Sequence, residues 1–154
     1  CIGAGVDLTT ACDIRLAASD AVFSVRETRI AMVADVGTLQ RLPYIIDPGR
    51  VAELVYTGRD WGADEALEIG FVSGVYDDGE AVQEAALDLA AQIASNSPLA
   101  VQGSKAVLNA SRRHKVQQDL DHVALWNAAF LYSDDLSEAV HAFLEKRPPE
   151  YKGQ

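Results

Sequence analysis

The sequence predicts an α/β fold that gives way to an all-helical region. Up to residue 79, short runs of β-branched and aromatic residues alternate with short helical patterns. From residue 80 onward, apolar residues recur only at helical spacing. The composition is that of an ordinary globular chain: 154 residues, 49% hydrophobic and 23% charged. That length suffices for one core burying roughly 70% of the unfolded surface. The expected division is therefore 1–79, mixed α/β, and 80–154, helical.

Taken in order, residues 5–12 read as a short helix with Val6 and small residues on one side. IRLAA (14–18) and AVFSV (21–25) read as strands with Ser19-Asp20 as the turn between them. A short helix over 36–42 is stopped by Pro43, and Pro48-Gly49 opens another, with Val51, Leu54 and Val55 on one face. DEALEIG (64–70) is a helical turn ended by Gly70, and FVSGVY (71–76) is a strand closed by Asp77-Asp78-Gly79. In the helical half, Val82, Ala86, Leu89 and Ile93 mark one helix and Ser97-Pro98 starts the next. Leu120, Val123, Asn127 and Leu131 mark a third, and Leu136, Val140, Phe143 and Leu144 a fourth, before Pro148-Pro149.

Charge and composition narrow the function classes. A net charge of −10 argues against a nucleic-acid partner, which needs clustered Lys and Arg. The densest basic stretch, Arg112-Arg113-His114-Lys115, reads as a solvated helix end or as a contact for the phosphate of a small ligand. No apolar run approaches the ~18 residues of a membrane span. Cys1 and Cys12 form no CxxC, and a reducing compartment is expected. His114, His122 and His141 have no metal-ligand spacing, so no metal is expected. The chain opens on Cys-Ile-Gly-Ala-Gly, which reads like the middle of a motif, and a preceding N-terminal part is expected.

Three acids stand out. GAGVDL (3–8) lacks the third glycine of a dinucleotide fingerprint. Small residues entering a helix can instead offer unpaired N–H groups to an anion, or merely allow close packing. Asp7 lies in that helix's first turn, where a surface acid is the default. Glu27 stands between Arg26 and Arg29 and reads first as an exposed ion pair. Asp35 follows the apolar run 30–34 and precedes Val-Gly-Thr, where it is a helix cap or a working group. No Ser-His-Asp or Cys-His arrangement is visible.

The runs GAGVDLTTACDIRLAASDAVFSVRETRIAM, GRVAELVYTGRDWGADEALEIGFVSGVYDD, SPLAVQGSKAVL and FLEKRPPEYKG resemble, in order, the enoyl-CoA hydratase/isomerase (crotonase) superfamily. The resemblance implies a fold of α/β class: the C-terminal part of a crotonase ββα spiral core over 1–79, followed by a helical trimerisation region over 80–154. It also implies that the chain corresponds to the C-terminal part of a longer protein. Hydratases of the superfamily usually have Glu at the positions of Asp7 and Glu27 and glycine at that of Asp35. ADVGTLQRLP resembles instead the Δ3,5-Δ2,4-dienoyl-CoA isomerase branch, in which the acids at 27 and 35 are the catalytic pair.

Likeness to that branch implies a two-carboxylate mechanism. Asp35 would remove a proton near the thioester and Glu27 would deliver one four carbons away, with Asp7 repelling negative charge on Glu27. The run before Asp35 would desolvate it. The backbone N–H of Ala4, at a position where most relatives have Gly, would be one of two oxyanion donors. The implied substrate is an acyl-CoA thioester, with no separate cofactor. The implied assembly is a homotrimer or hexamer, without nucleic acid or membrane. Lys105, Phe143 and Lys146 are candidates at the CoA entrance or a subunit boundary. A cytoplasmic setting is the default, with mitochondrial matrix and peroxisome left open. Two alternatives stand beside this: a hydratase using Asp7 and Glu27 on water, and a non-catalytic oligomeric scaffold.

Overall fold

Each short apolar run of the first half finds a strand partner far along the chain. In a computed structural model that describes residues 1–153, apart from the side chains of 111–115 and 130, β1 (Leu16–Ala18) pairs in parallel with β4 (Gly74–Tyr76). The basic side chains Arg112–Lys115 thus lie outside the described residues. β2 (Val22–Phe23) pairs antiparallel with β3 (Trp61–Gly62), Phe23 facing Trp61. The strands flanking Ser19-Asp20 are shorter than their sequence runs and do not pair with each other. Ser19 is drawn to the far partner instead: its N–H donates to Tyr76 O at 2.7 Å and its hydroxyl to Asp77 O at 2.8 Å. β4 begins late because the N–H groups of Phe71 and Val72 both close onto Ala66 O.

The helices of this half are α1 (Ala4–Ala11), α2 (Thr38–Arg41), α3 (Pro48–Thr57) and α4 (Ala63–Glu68). α3 has the expected punctuation: Asp47 accepts from Gly49 N–H at 2.8 Å, Pro48 occupies the first turn, and Gly58 closes it at φ 58°. Pro43 does not end the helix cleanly. The chain tightens into a 3-10 turn over Leu42–Tyr44 that includes it. A second 3-10 turn, Glu27–Ile30, ends at Ala31 in the left-handed region, φ 54°.

The core of this half is aromatic at its centre. Phe23 stacks on Trp61 at 5.9 Å between centroids, and Phe71 meets both edge-on at 5.2 and 6.0 Å. Val6, Val25, Leu42 and Leu54 are fully buried around them, each such burial contributing about 1.5–3 kcal/mol. Arg15 covers the cluster, its guanidinium 5.6 Å from the Phe71 ring and its Nε donating to Phe71 O at 2.7 Å.

The second half contains α5 (Gly79–Ala94), α6 (Pro98–Phe130) and α7 (Asp134–Glu145). The two helices expected after Ser97 are one helix of 33 residues. After Gly103 no Gly or Pro interrupts it, so nothing in the backbone stops propagation. α5 lies on β1 and β4, α6 on α2, and α7 on the Glu27–Ile30 turn. Among the described residues no helix is long and apolar enough to cross a membrane.

Acids of α7 fold the C-terminal segment back onto that same turn. Asp135 accepts the N–H groups of Lys152 and Gly153 at 2.7 and 2.9 Å. Glu138 binds Arg147 at 2.6 Å and accepts Glu150 N–H at 2.9 Å, and the Tyr151 hydroxyl donates to Arg29 O. Arg147, then the Glu150 N–H, hold the Glu138 carboxyl down at about 2. A depressed carboxyl contributes above its ordinary range and loses that contribution as pH falls through the folded value. Glu138→Gln and Asp135→Asn are therefore expected to speed amide hydrogen exchange at residues 150–153. Acidifying the wild type toward pH 2 is expected to lower the protection of the same amides relative to their intrinsic exchange at that pH.

Candidate active site

The site is built where α1 starts. Gly3 precedes the helix at φ 53° and ψ −116°, a conformation open to glycine. A Cβ there would come within 3.1 Å of Glu27 Oε1, so the missing side chain also makes room for that carboxyl. One residue on, the Ala4 N–H has no hydrogen-bond partner among the described residues, and Ala4 is exposed. Ala4 has none of the positive φ that would demand glycine, so alanine at this position still presents its donor. Glu27 and a free helix-start N–H thus share one corner.

Glu27 is not the exposed ion pair its arginine neighbours suggest. Arg26 turns to Asp60, at 2.6 Å, and Glu27 Oε2 is buried with no partner among the described residues. Its turn is held from several sides. Thr28 Oγ1 donates to Val55 O at 2.9 Å, Met32 N–H closes onto Glu27 O at 3.0 Å, and Tyr151 holds Arg29. Burial pushes the Glu27 carboxyl above its ordinary range. Its own backbone N–H opposes this, and the charges of Asp7 and Asp35 add to it.

Asp7 is not a surface acid. It is buried, and its Oδ1 accepts from both the N–H and the Oγ1 of Thr38, at 2.8 and 2.7 Å. It is therefore the cap of α2, supplied from α1, and it satisfies an orphan donor of that helix start. Asp35, read from the residues alone as a helix cap or a working group, does not cap α2: the residue before α2 is Gly37, at φ 112°. Arg41 lies over Gly37 and donates to Val36 O at 3.1 Å and Asp7 O at 3.4 Å.

Asp35 is exposed, so the apolar residues before it do not desolvate it within this chain. Of that run only Ala34 is buried. The Asp35 carboxylate is nonetheless held, its Oδ2 accepting from Asn127 Nδ2 at 3.3 Å. The charge of Asp35 reaches Glu27 and raises it, so the two carboxyls lie in one neighbourhood.

Of the residues singled out in the sequence, Ala4, Asp7, Glu27 and Asp35 come together. Lys105, Phe143 and Lys146 are not part of this cluster: Lys105 pairs with Asp13 at 2.8 Å, Phe143 is 79% exposed, and Lys146 closes α7 in the left-handed region. Thr38 and Asn127 were not foreseen. The signal for Asn127 was a polar residue on the stripe with Leu120, Val123 and Leu131.

The chain as a whole has relatives of known family. The sequence matches the family described as Enoyl-CoA hydratase/isomerase over residues 1–154, and the chain belongs to that family. It is 51% identical over 148 residues to the human mitochondrial Delta(3,5)-Delta(2,4)-dienoyl-CoA isomerase, covering 96% of this chain and 45% of that protein. It is 35% identical to the mouse mitochondrial methylglutaconyl-CoA hydratase, covering 99% of this chain and 50% of that one. The chain spans about half the length of these curated relatives. Among solved structures it resembles a carnitinyl-CoA hydratase from Mycobacterium avium, with a TM-score of 0.91 and 33% identity, covering 99% of this chain and 59% of that one. That likeness carries the crotonase fold. A dienoyl-CoA isomerase from Arabidopsis thaliana is named as peroxisomal, so the names of these isomerases lend no support to the cytoplasmic default.

Two outcomes test the geometry. Because the Glu27 carboxyl is raised, the fold gains from its protonated form below the ordinary carboxylate range and loses that gain as pH rises through the raised value. Glu27→Gln should therefore be more stable than wild type at neutral pH, with the difference vanishing in acid, as read by denaturant melts across pH. Gly37→Ala forces a Cβ into the Arg41 guanidinium at positive φ and should cost about 1–3 kcal/mol in the same melts.

Proposed function

We propose that the protein carrying this chain is an isomerase of fatty-acid oxidation, shifting a 3,5-dienoyl-CoA to the 2,4-dienoyl-CoA. The observation that carries this reading is that two unlike carboxyls lie in one neighbourhood. Glu27 is half-buried and raised, its Oε2 without a partner among the described residues, and Asp35 is exposed and hydrogen-bonded. The dienoyl-CoA isomerase relatives, at about half identity, support the same reading.

The chemistry needs a proton removed beside the thioester and one added four carbons away. Asp35 takes the first as general base. The electron pair left behind spreads through the diene to the thioester oxygen, which the Ala4 N–H receives. Removing such a donor costs about 2.7–4 kcal/mol in other enzymes. Glu27, kept neutral by burial and by neighbouring charge, gives its proton to the far carbon. The two steps are coupled. As Asp35 is neutralised, its charge no longer raises Glu27, so the acid strengthens as its proton is needed. Asp35, open to solvent, then sheds its proton, and Glu27 is reprotonated.

Thr38 takes Asp7 Oδ1 twice, so in the hydratase alternative only Asp7 Oδ2 remains to hold a water with Glu27. Exposed apolar residues on the long helices, among them Leu87, Leu99, Val107 and Leu125, support assembly as a homotrimer or hexamer.

In the full-length protein, Asp35→Asn should lower kcat for 3,5-dienoyl-CoA isomerisation by about 10²–10⁴-fold, followed by the ultraviolet absorbance of the extended conjugation. A near-wild-type rate in that variant would remove Asp35 from the mechanism.

A further inference from the structure

We infer that Asn127, on the helical half of the chain, is a positioning residue that sets the orientation of the Asp35 carboxylate. The inference rests on the reading of Asp35 as the base. Asn127 lies in the last turn of α6 and is 9% exposed. Its amide engages the backbone of Val33 on both sides. Nδ2 donates to Val33 O at 3.0 Å, and Oδ1 accepts from Val33 N–H at 3.4 Å. Those two bonds fix which way the amide faces, and the other Nδ2 hydrogen is left to meet Asp35 Oδ2 at 3.3 Å.

Residues 32–35 belong to no regular element, and Asn127 serves them as a strand neighbour would. Leucine there would continue the stripe of Leu120, Val123 and Leu131 but would leave the Val33 N–H and carbonyl without their partner. The amide is explained by what it holds. With Oδ2 taken, Asp35 Oδ1 is left without a partner among the described residues. Through this contact, α6 and the helical half reach the reacting centre.

The test compares Asn127→Ser, Asn127→Asp and Asp35→Asn with the wild type in the full-length protein, with 3,5-dienoyl-CoA as substrate and rates taken per folded protein. Asn127→Ser should lower kcat by at least about tenfold, with KM within about twofold. Asn127→Asp, which places a negative charge there, should lower kcat further. Asn127→Ser introduces no buried charge and decides the matter if Asn127→Asp does not fold. The inference is overturned if the folded variants keep the wild-type kcat and lose only thermal stability. If Asp35→Asn is inactive while the Asn127 variants match wild type, this inference alone fails. If Asp35→Asn isomerises normally, the assignment of the base fails, and this inference with it.

Discussion

The site depends on the hydrogen bonds between the buried carboxylate of Asp7 and the start of α2. One carboxylate oxygen takes both the amide and the hydroxyl of Thr38, so α1 and α2 meet through a charged cap. α1 presents the unpaired Ala4 amide at the start of the same turn, and the loop entering α2 carries Asp35. A single interaction therefore sets the distance between a donor for developing negative charge and the group proposed to create it. Gly37 and Arg41 complete the joint: glycine allows the guanidinium to lie on the loop, and the guanidinium holds the carbonyls on either side of it.

Around that joint the two outer acids are given opposite surroundings. Glu27 is kept where its Oε2 is buried without a partner among the described residues, a costly arrangement sustained by the contacts that hold its turn. The left-handed Ala31 that reverses the chain after the turn is a further local cost, of about 1–3 kcal/mol. Packing of α7 and the C-terminal segment against this turn offsets such costs. Asp35 lies on the open side, where it can exchange protons with solvent. One carboxyl tuned by burial and one left accessible is the asymmetry that proton transfer between two carbons requires.

Much of this was legible in the sequence, for identifiable reasons. Helices with strong local punctuation, such as Pro48–Thr57 between Asp47 and Gly58, fell where the residues placed them. Gly70, at φ 76°, followed α4 as expected. What failed was decided by distant partners. The strands flanking Ser19-Asp20 diverge because their mates are residues 74–76 and 61–62, which no local pattern reveals. Asp7 looked like a surface acid because its partner, Thr38, is 31 residues away. Asp35 looked like a cap because only the structure shows that the cap is already supplied. Asn127 carried a faint signal, a polar residue on an apolar stripe, whose meaning needed the position of Val33.

The most direct test of the account is a crystal structure of the full-length protein with a bound 2,4-dienoyl-CoA. The account predicts the thioester oxygen on the Ala4 amide and the acyl chain running between the carboxyls of Glu27 and Asp35, one near each end of the conjugated system. An acyl chain that passes only one of them, or a thioester turned away from Ala4, would contradict it.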